Sequence, residues 1–416
     1  TDLKAVGHGV YLFAGKTPEQ QTAAWERFTA LARAGKVVSA WAVENGLAEA
    51  VMKMSFGNEI GFAAENTVLD WFAPMPGAIV AELSDEVSDA VRIGVTTAEK
   101  AIALGADSAS IEELAALNDA VLEAVYPTKT RDSGTVESFS HETKTRVAPA
   151  VKQVRPKALI PVFPGTNCEY DTQRALSEAG ADAEQFIVRN LTSADVADSV
   201  ERFAAAVRTA QMIVIPGGFS GGDSAKFITA FFRAPAVTEA VRDLLKNRDG
   251  LMLGICNGFQ ALIKLGLVPY GRIMDTDESF PTLTYNVIGR HQSRLVRTRV
   301  CSTRSPWLVG TEVGDIYTVP ISHGEGRFLA SQELIEHLAA NGQIATQYAG
   351  LDGYATMDTA FNPNGSVCAI EGITSPDGRV FGKMGHSERI GPALYRNVPG
   401  TYDMHLFASA VRYFKK

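Results

Sequence analysis

The chain has 416 residues, room for two or three domains of about 150 residues. Its 46% apolar and 21% charged content argues against a disordered or collagen-like polymer. With 39 basic against 47 acidic residues the net charge is −8, the wrong sign for a general phosphate-binding surface, so nucleic acid is not an expected partner. Its four cysteines, Cys168, Cys256, Cys301 and Cys368, form no C-x-x-C pair, and no apolar run approaches the roughly 18 residues of a membrane span. Thr1-Asp2-Leu3-Lys4 does not resemble a secretory leader, and the expected setting is the reducing cytoplasm, away from membranes.

In chain order, residues 1–127 read as an α+β unit, with helical periodicity in Gln20–Ala34 and Ile111–Val125 and an apolar strand within Gly77–Leu83. Residues 128–156 turn to Thr, Ser, Lys, Arg and Glu, with Pro149 and Pro156 near the end; the composition predicts a solvent-exposed linker. From 157 to 416 the rhythm becomes strand, turn, helix. Strands are expected at Ala158–Phe163, Gln185–Val188, Met212–Ile215 and Leu251–Ile255, with helices over 170–179, 194–209 and a stretch ending near Lys246. Alternation of this kind predicts a parallel sheet covered on both faces, with function at the carboxyl ends of its strands. Shorter, hairpin-like strands follow, as in Val287–Val300, before a last helix over about Tyr402–Phe414.

The sharpest chemical signal is Leu253-Gly254-Ile255-Cys256-Asn257-Gly258-Phe259-Gln260. An apolar strand running through Gly-x-Cys-x-Gly into a helix is the pattern of a nucleophile elbow, in which small flanking residues permit a tight turn. The helix N-terminus would favour the thiolate. The plainer alternative is a core cysteine beside packing glycines.

In Gly385-His386-Ser387-Glu388-Arg389, two residues of one extended segment can face the same way, so Glu388 can orient His386 as a base for Cys256. An exposed loop pair is the alternative. The glycine-rich Ile215–Asp223 loop can offer the Gly218 N–H which, with that of Asn257, would hold an oxyanion; an ordinary strand-to-helix turn is the other reading. His323, in Ser322-His323-Gly324-Glu325-Gly326-Arg327, is a candidate for contact with substrate or a partner surface, or simply a solvated loop histidine. Gly7–Thr17 mimics a P-loop but carries Val10 where G-x-x-x-x-G-K-[ST] requires glycine, and no motif argues for a metal.

The Gly254–Gln260 and Gly385–Glu388 segments together resemble the class I, or triad, glutamine amidotransferases. Phe163-Pro164-Gly165-Thr166-Asn167-Cys168-Glu169, Pro216-Gly217-Gly218-Phe219-Ser220 and the Ser322–Gly326 run narrow the resemblance to the formylglycinamide ribonucleotide amidotransferase family. It implies a parallel-sheet, flavodoxin-like α/β glutaminase domain over 157–416, preceded by an α+β domain of the aminoimidazole ribonucleotide synthetase C-terminal type over 1–127. It further implies the C-terminal portion of a longer polypeptide, whose synthetase domains are partners in the same chain and hold the ATP and Mg2+; the glutaminase itself needs no cofactor.

By resemblance, Cys256 is the nucleophile, His386 the acid and base, Glu388 its orienting partner, and Gly218 and Asn257 the oxyanion donors. Gln260 matches a glutamine-contacting position, and Asn286, Arg290 and Arg294 match an Asn-and-Arg pattern assigned to substrate binding. Two departures stand out: His291 where relatives often carry Phe, and a loop after Gly222-Asp223 shorter than the resemblance implies. The rival functions are a cysteine hydrolase or peptidase on the same scaffold and a non-catalytic docking fragment.

Overall fold

The computed structural model describes residues 1–66, 68–127, 130, 136–143, 148–219 and 225–415. The chain divides into two compact units, Thr1–Thr128 and Lys129–Lys416.

The first unit is built on a seven-stranded sheet in the order Val37–Ala42, Ile79–Leu83, Gly9–Phe13, Val91–Thr97, Gly61–Ala64, Ala101–Leu104, Asp107–Ser110. All neighbours are antiparallel except the Gly61–Ala64 and Ala101–Leu104 pair. The Gly9–Phe13 strand explains the layering, because alternate side chains leave opposite faces. Val10 and Leu12 pack with Leu47, Val51 and Met54 of the Leu47–Phe56 helix, whereas Tyr11 and Phe13 pack with Phe28 and Leu31 of the Pro18–Arg33 helix. Both faces are therefore covered. Thr17, the end of the P-loop mimic, accepts the Gln20 N–H as the helix cap, a structural use for the residue.

The second unit carries a nine-stranded mixed sheet. Five strands, Val380–Lys383, Leu251–Ile255, Met212–Ile215, Lys157–Val162 and Asp182–Ile187, lie side by side in parallel. Four more, Ile370–Thr374, Ile344–Tyr348, Gln292–Val300 and Ile316–His323, extend it from Val380–Lys383 in antiparallel fashion. The four strands expected from the strand, turn, helix rhythm thus all lie in the parallel half. Hairpin connections of the later strands supply the other half.

Central strands are apolar throughout: Met212–Ile215 and Leu251–Ile255 are buried at every position, as strands covered on both faces must be. The edge strand Asp182–Ile187 alternates exposed with half-buried or buried residues, and its first half lies outside the expected Gln185–Val188. The final helix begins at Leu406 rather than near Tyr402, because His405 takes a positive φ of 54° and ends any earlier helical run.

The expectation of an exposed linker is corrected for residues 136–143. Val136 and Phe139 pack on the core of the second unit, and the backbone is tied down along its length. The Phe139 N–H donates to Gln347 Oε1 at 2.9 Å, the Gln347 amide donates to Glu137 O at 3.0 Å, and Arg299 donates to Phe139 O at 2.7 Å. The His141 N–H donates to Cys301 O at 2.8 Å. A polar sequence lies flat here because side chains of the strands beneath satisfy its backbone.

Candidate functional site

Four parallel strands end on the same sheet edge, and the segments leaving them converge. The Leu251–Ile255 strand runs into Cys256, which has φ 54° and ψ −106° and precedes the Asn257–Leu265 helix. A non-glycine residue there carries strain of about 1–3 kcal/mol, which the surrounding packing must hold. The close approach requires glycine at 258, where a Cβ would lie 2.1 Å from Ile215 O. The Cys256 N–H donates to Lys383 O at 2.8 Å, fixing the turn to the neighbouring strand.

His386 and Glu388 follow the Val380–Lys383 strand and are buried, with His386 Nδ1 donating to Glu388 Oε1 at 2.6 Å. Burial alone would lower the imidazole's affinity for a proton. The adjacent carboxylate, with hydrogen bonding to Cys168 and Cys256, overrides it and holds His386 well above its ordinary value near 6.5. Burial likewise opposes ionisation of Glu388, yet the His386 charge and hydrogen bond keep it below the usual carboxylate value. Cys256, His386 and Gly218 line one small cavity of about 40 Å³, together with Asn167, Phe219, Ser322 and Arg389. Gly217 presses against it: a Cβ there would lie 2.6 Å from His386 Cε1 and 3.4 Å from Cys256 Cβ.

The other expected residues divide into near and far. Asn257 is the first helical residue after Cys256, and its side chain donates to Gln260 Oε1 at 2.8 Å. Gln260 in turn donates to Glu325 O at 2.7 Å, tying the helix to the Ser322–Arg327 loop rather than pointing into the cavity. Asn286 organises the same loop, donating to Arg290 O and His323 O and accepting from the Gly326 N–H. His323 is fully buried, not solvated; burial first, then the nearby His386 and His291 charges, push it down to about 3, so the ring is neutral. Its Nδ1 meets Asn286 Oδ1 at 3.2 Å, and its Nε2 has no hydrogen-bond partner among the described residues.

Arg290 is half-buried at the loop before the Gln292–Val300 strand, and Arg294 is exposed on that strand. Neither lines the small cavity. His291 meets Ser322 Oγ at 3.0 Å, with its ring centroid 6.2 Å from that of Phe219. The short loop after Gly222-Asp223 falls at 220–224, outside the described residues.

The residue reading gave no role to Cys168 or Arg389. Cys168 is buried with Sγ 3.7 Å from His386 Nδ1, and it accepts from Arg389 at 3.1 Å while donating to Asn167 Oδ1 at 3.0 Å. Both residues stood inside quoted motifs, but their partners lie about two hundred positions away in sequence. The donor atoms of Cys168, His386 and Glu388 lie within 4.8 Å of one another, close enough to share an ion. The Arg389 guanidinium against the sulfur opposes a further cation there.

Residues 155–414 match the model of the CobB/CobQ-like glutamine amidotransferase domain. The chain belongs to this glutamine amidotransferase family. Its matched region follows the Thr1–Thr128 unit. Among curated relatives, the phosphoribosylformylglycinamidine synthase subunit PurQ of Symbiobacterium thermophilum is 34% identical over 257 residues, covering 61% of this chain and 95% of the relative. The protein of the same name from Synechocystis sp. is 34% identical over 241 residues, 58% of this chain and 95% of the relative. A chain of the solved PurLQS structure from Thermotoga maritima aligns with 63% of this chain and 100% of its own length, at 25% identity and a TM-score of 0.45. For this family of amide-cleaving enzymes, a thiol at a helix N-terminus beside a carboxylate-bound imidazole is a chemically competent arrangement.

Proposed function

We propose that this amidotransferase is the glutaminase part of phosphoribosylformylglycinamidine synthase, acting in the cytoplasm in purine biosynthesis. The names of its curated relatives support the pathway. The observation carrying the chemistry is that Cys256, on its strained elbow, shares one cavity with His386, which Glu388 holds.

In this reading the Cys256 thiolate attacks the side-chain amide carbon of glutamine, and the N–H groups of Gly218 and Asn257 receive the oxyanion. The charged His386 gives its proton to the departing nitrogen as the C–N bond breaks, releasing ammonia and leaving a γ-glutamyl thioester. His386, now neutral, takes a proton from water. The resulting hydroxide adds to the thioester, the C–S bond breaks, and glutamate leaves with the thiolate and imidazolium restored. Glu388 fixes the ring and supports its charged form throughout. Gln260, Asn286, Arg290, Arg294 and His323 are proposed to shape the glutamine and coupling surfaces, Gln260 and Asn286 by holding the Ser322–Arg327 loop.

The ammonia is passed to formylglycinamide ribonucleotide on synthetase domains of the same polypeptide. Those domains, not the glutaminase, handle ATP and Mg2+.

The test is peptide mass spectrometry after exposure to an electrophilic glutamine analogue, with glutamine as competitor. One adduct on Cys256, suppressed by glutamine, is expected, and Cys256→Ala should remove it together with glutamine hydrolysis. Burial pushes the Cys301 thiol up to about 12, so that residue should stay unlabelled. Peptide cleavage without glutamine turnover would instead favour a peptidase.

A further inference from the structure

Beneath the His386 turn lies a charged pair that the amide-cleaving steps do not use. Lys383 and Glu371 are both fully buried, with Nζ 3.1 Å from Oε1. An ammonium has three donors, and Lys383 finds three acceptors: Gly385 O at 2.9 Å, Ser387 Oγ at 3.0 Å and the Glu371 carboxylate. Glu371 Oε1 also accepts the Gly385 N–H at 2.6 Å, while its other oxygen accepts from Thr346 Oγ1.

The two residues flanking His386 are therefore gripped: Gly385 at both its N–H and its carbonyl, and Ser387 at its hydroxyl. A side chain at 385 would not fit, since a Cβ would lie 2.6 Å from Val319 Cγ2 and 3.1 Å from Lys383 Nζ. The Lys383 carbonyl meanwhile accepts the Cys256 N–H at 2.8 Å. One residue thus ties down the elbow with its backbone and the imidazole's turn with its side chain.

Stability alone is a poor account of this pair. Taking two ions out of water is costly, and apolar residues of similar volume often serve a core as well or better. What an apolar pair lacks is a fixed set of hydrogen bonds to Gly385 and Ser387. We propose that Lys383, supported by Glu371, is a positioning residue that sets the Cys256 thiol and the His386 ring in register. The inference rests on the glutaminase reading above, deepening it by assigning a further residue to the same site.

The test uses the full chain and the chloromethyl ketone analogue of glutamine, whose limiting inactivation rate and half-saturating concentration report geometry and binding separately. Lys383→Met should slow the limiting rate at least about tenfold, since misplacement by an ångström costs up to about a hundredfold, with half-saturation within about twofold of the parent. That variant also strands a buried carboxylate and should melt lower. The double variant Lys383→Met with Glu371→Met leaves no stranded charge, so its melting temperature should recover while the limiting rate stays low. It carries the test if the single variant fails to fold.

A double variant with both parental melting and parental limiting rate would overturn the positioning role. A change in half-saturation with the limiting rate intact would also overturn it. If the parent itself is not alkylated at Cys256, the glutaminase reading fails and the inference falls with it; if the parent is alkylated and the variants match it, only the inference falls.

Discussion

His386 is a buried imidazole whose charge is supported chiefly by Glu388, with Cys168 and Cys256 beside it, and that makes its titration a sharp probe of the site. Its folded value is raised, so its contribution to stability is complete below about pH 6.5 and is lost as pH rises through the folded value. Glu388 is depressed, so its contribution is present above about pH 4.5 and is lost as pH falls through its folded value. Glu388→Gln removes the largest influence that raises the His386 value and leaves burial opposed only by Cys168 and Cys256, so the His386 value should fall. The parent should lose stability as pH rises from about 6.5 toward the folded His386 value, whereas the variant should lose less or none over that range, and melting curves between about pH 5 and 8 will show the difference in slope. The neutral ring should also slow Cys256 alkylation near pH 7 by about a hundredfold or more. Equal slopes in parent and variant would mean that Glu388 does not govern the imidazole. The His386–Glu388 pair was legible from its close spacing, although the two residues lie not on an extended segment but in a turn closed by the Arg389 N–H donating to His386 O at 3.2 Å. Cys168, Arg389, Lys383 and Glu371 were not, because a buried lysine is rare and their contacts join distant stretches of chain.

At the scale of elements, the strand, elbow and helix around Cys256 form the part of the site most clearly written in sequence. Leu251–Ile255 is apolar at every position and the glycines mark where backbone must approach backbone. Gly258→Ala tests this directly, since its methyl group meets the carbonyl oxygen of Ile215, an immobile group of the adjacent strand. Overpacking of this kind costs about 1–3 kcal/mol. A lower melting temperature and slower Cys256 alkylation are expected together, because the strand end and the elbow must shift as one. An unchanged melt would show that the helix does not seat as closely as 2.1 Å implies. Edges were less legible than centres: Asp182–Ile187 pairs on one side only and opens with Asp, Ala and Glu before its apolar end, so its first half reads as loop. The antiparallel half of the sheet was visible as hairpin alternation, but its joining to the parallel half at Ile370–Thr374 depends on long-range pairing that no local pattern carries.

For the molecule as a whole, composition pointed to two folded units but misjudged what lies between them. Residues 136–143 carry the polar composition of a tether, yet they share the core of the second unit and satisfy buried side chains of its strands. The two units each have their own apolar clusters, so the second should fold without the first. Where it is cut then matters. A fragment of residues 136–416 retains the bonds from Gln347 and Arg299 to residues 137 and 139, whereas a fragment of residues 157–416 loses them. Net hydrogen-bond contributions of about 0.5–1.5 kcal/mol each predict a melting temperature roughly 5–10 °C lower for the shorter fragment. Cys256 alkylation in the longer fragment should match the full chain, since none of the described residues before 136 lines the cavity. Identical melting of the two fragments would mean that the strap contributes no net stability. Loss of alkylation from a folded longer fragment would make the first unit a requirement for the reactive form of the thiol.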